Sequence, residues 1–260
     1  MIIILYMDNK LNFINDPLET PENVTHKTFF SELIKHEIGY NIYLPYDYTE
    51  YSKNYSVLYH LHGWKGNESS DIWNLEKIYR NKDFITVFVN GTSGYLDEEV
   101  PMESIIITEL IPFIDKNYRT NATRENRLIS GFSMGGAGAF YYAVKYFQLF
   151  GSVIAYAGTY HHFFHKGSRT VGEPIEKAND LFEIELKYIK EEGIFNLIMQ
   201  NIENIRNYLN IKIIVGKNDV LLCDNEILHL FLNSLNIPHE YRIIEEIDHE
   251  LGKIIERISG

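Results

Sequence analysis

Ser133 stands between glycines in the stretch G-F-S-M-G, residues 131–135. A serine hydroxyl attacks an ester carbonyl only when a general base removes its proton and a carboxylate orients that base. The pattern G-x-S-x-G supports this chemistry when a strand precedes it, a helix follows it and both partners lie further along the chain. A strand pattern at 127–130 and a helix pattern from Met134 meet the first two conditions. A purely structural glycine-rich turn is the alternative.

His249 is the predicted general base among the ten histidines of the chain. Triads built on this kind of turn follow the order serine, carboxylate, histidine, and each partner lies in a loop after a late strand. His249 alone follows the last strand pattern, and it directly precedes the C-terminal helix pattern. These positions predict that His249 takes the proton of Ser133.

Asp219 is the predicted carboxylate, because G-K-N-D follows the strand pattern at 211–215. Asp224 stays open as an alternative, although its position favours capping a helix that begins at Asn225. Asp248 adjoins the base, and adjacent side chains normally point apart. The predicted triad is therefore Ser133, Asp219 and His249.

Two backbone amides are predicted to stabilise the oxyanion of a tetrahedral intermediate. The Met134 amide directly follows the nucleophile at the start of a helix. The second donor belongs on a loop after an earlier strand, where H-L-H-G-W occupies residues 60–64. Gly63 lets the backbone turn inward, so the Trp64 amide is the predicted second donor. A plain strand-ending turn is the alternative for this segment.

Short apolar runs alternate with helix patterns and predict an α/β fold with a mostly parallel central sheet and helices on both faces. Residues 27–44 are predicted as two antiparallel strands that turn near 35–37, and residues 103–118 as a helix that Pro112 kinks. The other predicted strands are 57–61, 84–89, 126–130, 152–157, 211–215 and 240–244, and the other predicted helices are 137–147, 224–236 and 250–258.

Residues 159–210 interrupt this alternation. About fifty residues separate two core strands there, whereas a crossover helix needs roughly a dozen or more. Such an excess normally covers the carboxyl edge of the sheet, where ligands bind. We therefore expect residues 1–260 to form a single domain, with 159–210 as a cap or lid insertion.

Charge and cysteine content narrow the classes of partner. The chain has 260 residues and a net charge of −12, which disfavours nucleic acid and anionic membrane surfaces as partners, while an oligomer is compatible with it. Cys223 is the single cysteine, so no intramolecular disulfide can form, and as a rival nucleophile it is interpreted as a buried bystander. No apolar stretch approaches the roughly 20 residues that span a bilayer. The apolar start makes a poor signal peptide, so a cytoplasmic location is expected, or a secreted one if a leader was trimmed.

Several motifs together resemble a known esterase family. They are H-L-H-G-W with the nearby Asn67-Glu68, E-L-I-P-F-I at 109–114, N-Y-R at 117–119 and R-L-I-S-G-F-S-M-G-G at 127–136. The family includes feruloyl and acetyl-xylan esterases of carbohydrate esterase family one, esterase D-type S-formylglutathione hydrolases and mycolyltransferases. The resemblance extends over about residues 27–258. It implies an α/β-hydrolase fold, the triad named above and no cofactor.

The resemblance implies a serine carboxylic-ester hydrolase that forms an acyl-enzyme. Its substrates would be feruloyl, cinnamoyl or acetyl esters of saccharides, or small acyl esters. S-formylglutathione-type thioester hydrolysis and acyl transfer are the alternatives among enzymes, and a catalytically silent binding protein is the alternative outside them. A silent relative would lose a triad residue or an oxyanion glycine, and this chain lacks none of them. It departs from the family at Asp71-Ile72-Trp73, where an Asp-Trp pair is usual, and at Asp248-His249-Glu250, where Gly-His-Asp is usual.

Four residues are predicted to contact the substrate: Gly63, Tyr95, Leu96 and His161. Tyr95 and Leu96 fall on the loop that usually lines the acyl pocket in this family, and a solvent-facing loop is the alternative. His161 opens the predicted cap. It could also form a metal site with the histidines at 162 and 165, but no carboxylate has matching spacing, so no metal site is predicted.

Overall fold

One twisted sheet runs through the part of the chain that this computed structural model describes, residues 12–97, 100–160 and 193–260. Within these ranges the sheet has eight strands in the order β1-β2-β4-β3-β5-β6-β7-β8. β2 pairs antiparallel with β1 and β4, and the remaining neighbours are parallel. The strands are β1 Val24–Ser31, β2 His36–Tyr43, β3 Ser56–Leu61, β4 Phe84–Val89, β5 Arg127–Phe132, β6 Ser152–Tyr156, β7 Asn210–Gly216 and β8 Glu240–Ile244.

The central strands are buried on both faces, as their continuous apolar sequences predict. Alternate side chains of a strand point to opposite faces. In β4, Val87 and Val89 belong to one hydrophobic core and Phe88 belongs to the other. Two cores of this kind require a helical layer on each side of the sheet.

Helices cover both faces of the sheet. α1 and α8 pack in the smaller core, and the other helices contribute to the larger one. Their bounds are α1 Glu76–Tyr79, α2 Met102–Ser104, α3 Ile111–Asn117, α4 Met134–Lys145, α5 Ile194–Gln200, α6 Ile202–Tyr208, α7 Leu222–Ser234 and α8 Leu251–Ser259. The prediction of a mostly parallel sheet with helices on both faces is confirmed.

The predicted helix at 103–118 is divided into consecutive segments. A π-helical stretch, Ile105–Leu110, joins α2 to α3. Pro112 lies in the first turn of α3, where the missing N–H and fixed φ of proline are tolerated. The proline therefore marks the start of a new segment.

The carboxyl edge of the parallel strands collects the loops that carry the predicted site residues. β3 leads to Gly63, β5 to Ser133, β7 to Asp219 and β8 to His249. Ligands of open α/β sheets bind at this edge. Of the predicted cap, residues 161–192 lie outside the described residues, so the cap and the domain bounds stay predictions.

α5 and α6, which follow that gap, place Ile194, Ile198 and Ile205 in the larger core. No helix in the described ranges is long and apolar enough to cross a membrane.

Candidate active site

Ser133 lies on a sharp turn between β5 and α4. Its φ is 56°, a left-handed value that a side chain adopts only when the surroundings impose it. The Ser133 N–H donates to the Tyr156 carbonyl at 2.9 Å. A Cβ on Gly131 would lie 2.1 Å from the Gly135 carbonyl oxygen, and one on Gly135 would lie 2.0 Å from the Leu61 carbonyl oxygen. The turn therefore accepts only glycine at both positions.

Ser133, His249 and Asp219 form a hydrogen-bonded chain. The Oγ of Ser133 is 2.9 Å from Nε2 of His249, and Nδ1 of His249 is 2.9 and 3.0 Å from the two Asp219 carboxylate oxygens. An ionised carboxylate only accepts hydrogen bonds, so Nδ1 carries the proton. Nε2 is then free to accept the serine proton. The arrangement can move a proton away from the Ser133 hydroxyl.

Two further contacts hold the His249 ring and the Asp219 carboxylate in place. Phe132 stacks on the His249 ring with centroids 4.6 Å apart. The Asp219 side chain is fully buried, and its Oδ1 accepts the Leu221 N–H at 2.8 Å. The N–H of Asn218 donates to the Ile247 carbonyl at 3.0 Å and ties together the two loops that carry the acid and the base.

Two predictions around the acid are wrong. α7 begins at Leu222 with Leu221 before it, so Asp224 lies inside the first turn and does not cap a helix that begins at Asn225. Asp219 opens this turn instead, because its carboxylate and its carbonyl accept the N–H groups of Leu221 and Leu222. Cys223 is exposed on α7 and is not a buried bystander.

The loop after β3 passes directly beside the serine. A Cβ on Gly63 would lie 3.5 Å from the Cβ of Ser133. The Gly63 carbonyl accepts two hydrogen bonds, from Nδ1 of His62 at 2.7 Å and from the Gly66 N–H at 3.0 Å. This peptide is trans, so the Trp64 N–H points opposite to that carbonyl. Among the described residues neither the Trp64 amide nor the Met134 amide has a hydrogen-bond acceptor, so both can bind an oxyanion.

His62 controls the orientation of this peptide, a role that sequence reasoning missed. It is buried, and burial lowers the pKa of its ring below the ordinary value. The Gly63 carbonyl requires a proton on Nδ1, and the Gly91 N–H at 3.1 Å requires a bare Nε2. Both partners therefore select the same neutral tautomer. The sequence signal was the histidine that precedes Gly63.

Tyr95 supports the same loop. It is fully buried, and its hydroxyl donates to the His62 carbonyl at 3.0 Å. Its ring occupies the space left by Gly91 and Gly138, where a Cβ would lie 2.0 and 2.9 Å from ring atoms. Tyr95 thus braces the loop, in contrast to the predicted contact with substrate. Leu96 is half-buried against the larger core.

A second Ser-His-Asp chain lies beneath the site. Nδ1 of His60 is 2.9 Å from Oγ of Ser130, and its Nε2 is 3.1 Å from Asp71. All three residues are buried, so Ser130 is not open to a substrate. Burial opposes ionisation of Asp71, yet hydrogen bonds from His60 and Asn74 hold its pKa below the usual value. This chain ties the loop after β3 to the strand that carries Ser133.

The predicted contact His161 and its neighbours His162 and His165 lie outside the described residues. Within the described ranges, no three His, Cys, Asp or Glu side chains are grouped so that they could hold a metal ion.

The sequence matches the model of a family described as "Putative esterase" over residues 31–163, about half of the chain. The chain belongs to that esterase family.

Two curated relatives that the chain matches are larger proteins. An esterase from Mycobacterium tuberculosis is 29% identical over 171 residues, which are 60% of this chain and 38% of the relative. An endo-1,4-beta-xylanase/feruloyl esterase from Xylanibacter ruminicola is 37% identical over 138 residues, 44% of this chain and 18% of the relative. The chain thus matches well under half the length of either protein.

Solved structures share the fold along almost the whole chain. A ferulic acid esterase superposes with a TM-score of 0.72 at 23% identity and covers 90% of this chain and 94% of its own. An S-formylglutathione hydrolase from Staphylococcus aureus gives 0.72 at 17% identity, with 91% and 95% covered. These likenesses confirm the α/β-hydrolase fold.

Replacing His62 tests the orientation of the Gly63–Trp64 peptide. Asparagine keeps a donor near the position of Nδ1, whereas leucine removes it. We expect the kcat for p-nitrophenyl acetate to fall about 10²-fold in His62→Leu, because a misdirected oxyanion donor costs nearly as much as a missing one, and clearly less in His62→Asn. Equal kcat values in both variants, with circular dichroism matching the wild type, would contradict this role.

The lowered pKa of His62 also predicts how stability depends on pH. The unfolded chain takes up the histidine proton near pH 6.5, and the folded chain does so only at lower pH. The free energy of unfolding should therefore fall as the pH drops below about 6.5, by up to about 1.4 kcal/mol per pH unit from this group. Urea unfolding at pH 7.5 and 5.5 measures the loss. It should be smaller in His62→Asn, and an identical loss would exclude His62 as its source.

Proposed function

We propose that this chain is a serine carboxylic-ester hydrolase with Ser133 as nucleophile, His249 as general base and Asp219 as the orienting acid. The observation that carries the proposal is the hydrogen-bonded chain from Ser133 Oγ through the His249 ring to the Asp219 carboxylate. The strained turn at Ser133 and the two amides beside it supply the other requirements of acyl transfer.

Acylation begins when Nε2 of His249 takes the hydroxyl proton of Ser133 as Oγ attacks the ester carbonyl carbon. The carbonyl electron pair moves to oxygen, and the amides of Met134 and Trp64 donate to the resulting oxyanion. The positive His249 ring is stabilised by the buried Asp219 carboxylate. When the intermediate collapses, the leaving oxygen takes the proton from His249 and departs as the alcohol. The acyl group stays on Ser133 Oγ as an ester.

Deacylation repeats these steps with water as the nucleophile. His249 removes a proton from the water, the same two amides stabilise the second oxyanion, and the proton returns to Ser133 Oγ as the acid leaves. No step needs a metal ion or an organic cofactor, because the protein groups supply the base, the acid and the oxyanion donors.

The substrates we propose are feruloyl, cinnamoyl or acetyl esters of saccharides, or small acyl esters. The name of the Xylanibacter ruminicola relative, a combined xylanase and feruloyl esterase, supports the saccharide ester. Comparing rates for methyl ferulate, an acetylated xylo-oligosaccharide and S-formylglutathione distinguishes an oxygen-ester hydrolase from a thioesterase. A kcat/KM highest for S-formylglutathione would overturn the assignment to oxygen esters.

Removal of the Ser133 hydroxyl should abolish turnover. Ser133→Ala should lower kcat for p-nitrophenyl acetate by at least about 10⁴-fold and should prevent labelling by a fluorophosphonate, because both reactions need Oγ. Ser130→Ala removes a second serine hydroxyl that is paired with a histidine, and this variant should still be labelled. Labelling that persists in Ser133→Ala would identify a different nucleophile.

The role of Asp219 as the orienting acid is tested by comparing two aspartates. Asp219 hydrogen-bonds the His249 ring, whereas Asp248 only precedes His249 in the chain. Asp219→Asn keeps the shape but lets His249 adopt the wrong tautomer, so kcat should fall by about 10³–10⁴-fold. Asp248→Asn changes an exposed carboxylate next to His249, and its kcat should stay within about twofold of the wild type. A near-normal rate in Asp219→Asn would transfer the role to another carboxylate, with Asp224→Asn as the next variant.

A further inference from the structure

Both tryptophans of the chain are exposed on the loop that follows β3. Trp64 and Trp73 are 54% and 52% exposed, although large aromatic residues normally bury most of their surface. The segment around Trp73 is well packed, because Ile72 and Leu75 are buried in the smaller core. The exposure of Trp73 is therefore a fixed property of its position.

The backbone around Trp73 is held by the buried carboxylate of Asp71. That carboxylate is 3.1 Å from Nε2 of His60 and accepts a 3.1 Å hydrogen bond from Asn74. The Leu75 N–H donates to the Asp71 carbonyl at 3.0 Å. An aromatic ring presented on such a segment is pre-organised, so a ligand that packs on it does not have to order the loop.

Trp73 lines a groove of about 510 Å³ between α1 and α8. Its polar walls include Glu76 and Lys77 on one side and Glu250, Lys253 and Glu256 on the other. The volume lies in the range of small-molecule sites, roughly 300–1,000 Å³. The groove thus combines one flat apolar surface with several hydrogen-bonding groups.

The charges in the groove are paired. Lys253 is 2.8 Å from Glu250, Lys77 is 3.9 Å from Glu256, and Glu76 is 3.2 Å from Arg80. Paired charges offer both donors and acceptors without a strong field of either sign. A neutral ligand with many hydroxyl groups matches these walls, whereas an ion would meet repulsion from one member of each pair.

The groove begins at Glu250, the residue that follows the predicted base, His249, in the chain. His249 must give its proton to the leaving oxygen, so the alcohol part of an ester lies next to the His249 ring. An alcohol group larger than the leaving oxygen itself extends naturally toward Trp73.

From these observations we infer that the groove between Trp73 and α8 binds the saccharide portion of an ester substrate. A sugar ring packs its C–H face on the Trp73 indole, and its hydroxyls bond the paired charges of the groove. The inference rests on the proposed esterase function and specifies which part of the substrate this surface recognises. It makes Trp73 a specificity residue for the alcohol part of the substrate.

The test compares esters that share an acyl group and differ in the alcohol. Methyl and xylo-oligosaccharide esters, each prepared with acetyl and feruloyl groups, are assayed with the wild type, Trp73→Ala and Trp73→Phe. Trp73→Ala should raise KM for the oligosaccharide ester about tenfold, the equivalent of one lost aromatic contact, and should leave the methyl ester unchanged. Trp73→Phe should recover part of the loss, because it keeps a ring.

Tyr51→Ala is the matched control, since Tyr51 is equally exposed but precedes β3 at the amino edge of the sheet. It should change neither ester. If Trp73→Ala leaves the KM of the oligosaccharide ester unaltered, or weakens both esters equally, the inference is overturned while the esterase proposal stands. A wild type that cleaves none of the four esters would overturn the esterase proposal and this inference with it.

Discussion

The start of α4 rests directly on the end of β3, and the geometry of the site depends on this contact. Ser133 directly precedes the helix, and the strand leads into the loop of Gly63. Because Gly135 approaches the Leu61 carbonyl so closely that a Cβ would lie 2.0 Å away, the serine and the loop cannot separate. The distance between Ser133 and the loop of Gly63 is therefore set by backbone packing, which is stiffer than a contact between flexible side chains.

Polar residues beneath the loop complete this arrangement. His62 and Tyr95 fix two consecutive peptides: Nδ1 of His62 donates to the Gly63 carbonyl, and the Tyr95 hydroxyl donates to the His62 carbonyl. His60 connects Asp71 to the strand that ends at Ser133. Buried networks of this kind are worth their desolvation cost only when every member is satisfied. These hydrogen bonds hold the loop after β3 in a fixed position on the sheet.

The sheet and the triad could be predicted because their signals are local or ordered along the chain. The continuous apolar run at 84–89 predicted β4 at its observed bounds, and the strand predicted at 240–244 also has its observed bounds. Chain order selected His249, which contacts Ser133, and favoured Asp219, which contacts His249. The direction of the Tyr95 side chain could not be predicted, because it depends on space left by Gly91 and Gly138, far apart in sequence. The start of α7 was missed for a related reason: an aspartate that serves His249 also opens the helix, so the usual capping pattern is absent.

The backbone conformation of Ser133 lowers the stability of the folded chain. A φ of 56° costs a serine of the order of 1–3 kcal/mol, and glycine would adopt the same angle without that cost. A chain under no demand for reaction would therefore gain stability if glycine replaced this serine. The Ser133 hydroxyl thus occupies a backbone position where carrying a side chain lowers the stability of the fold.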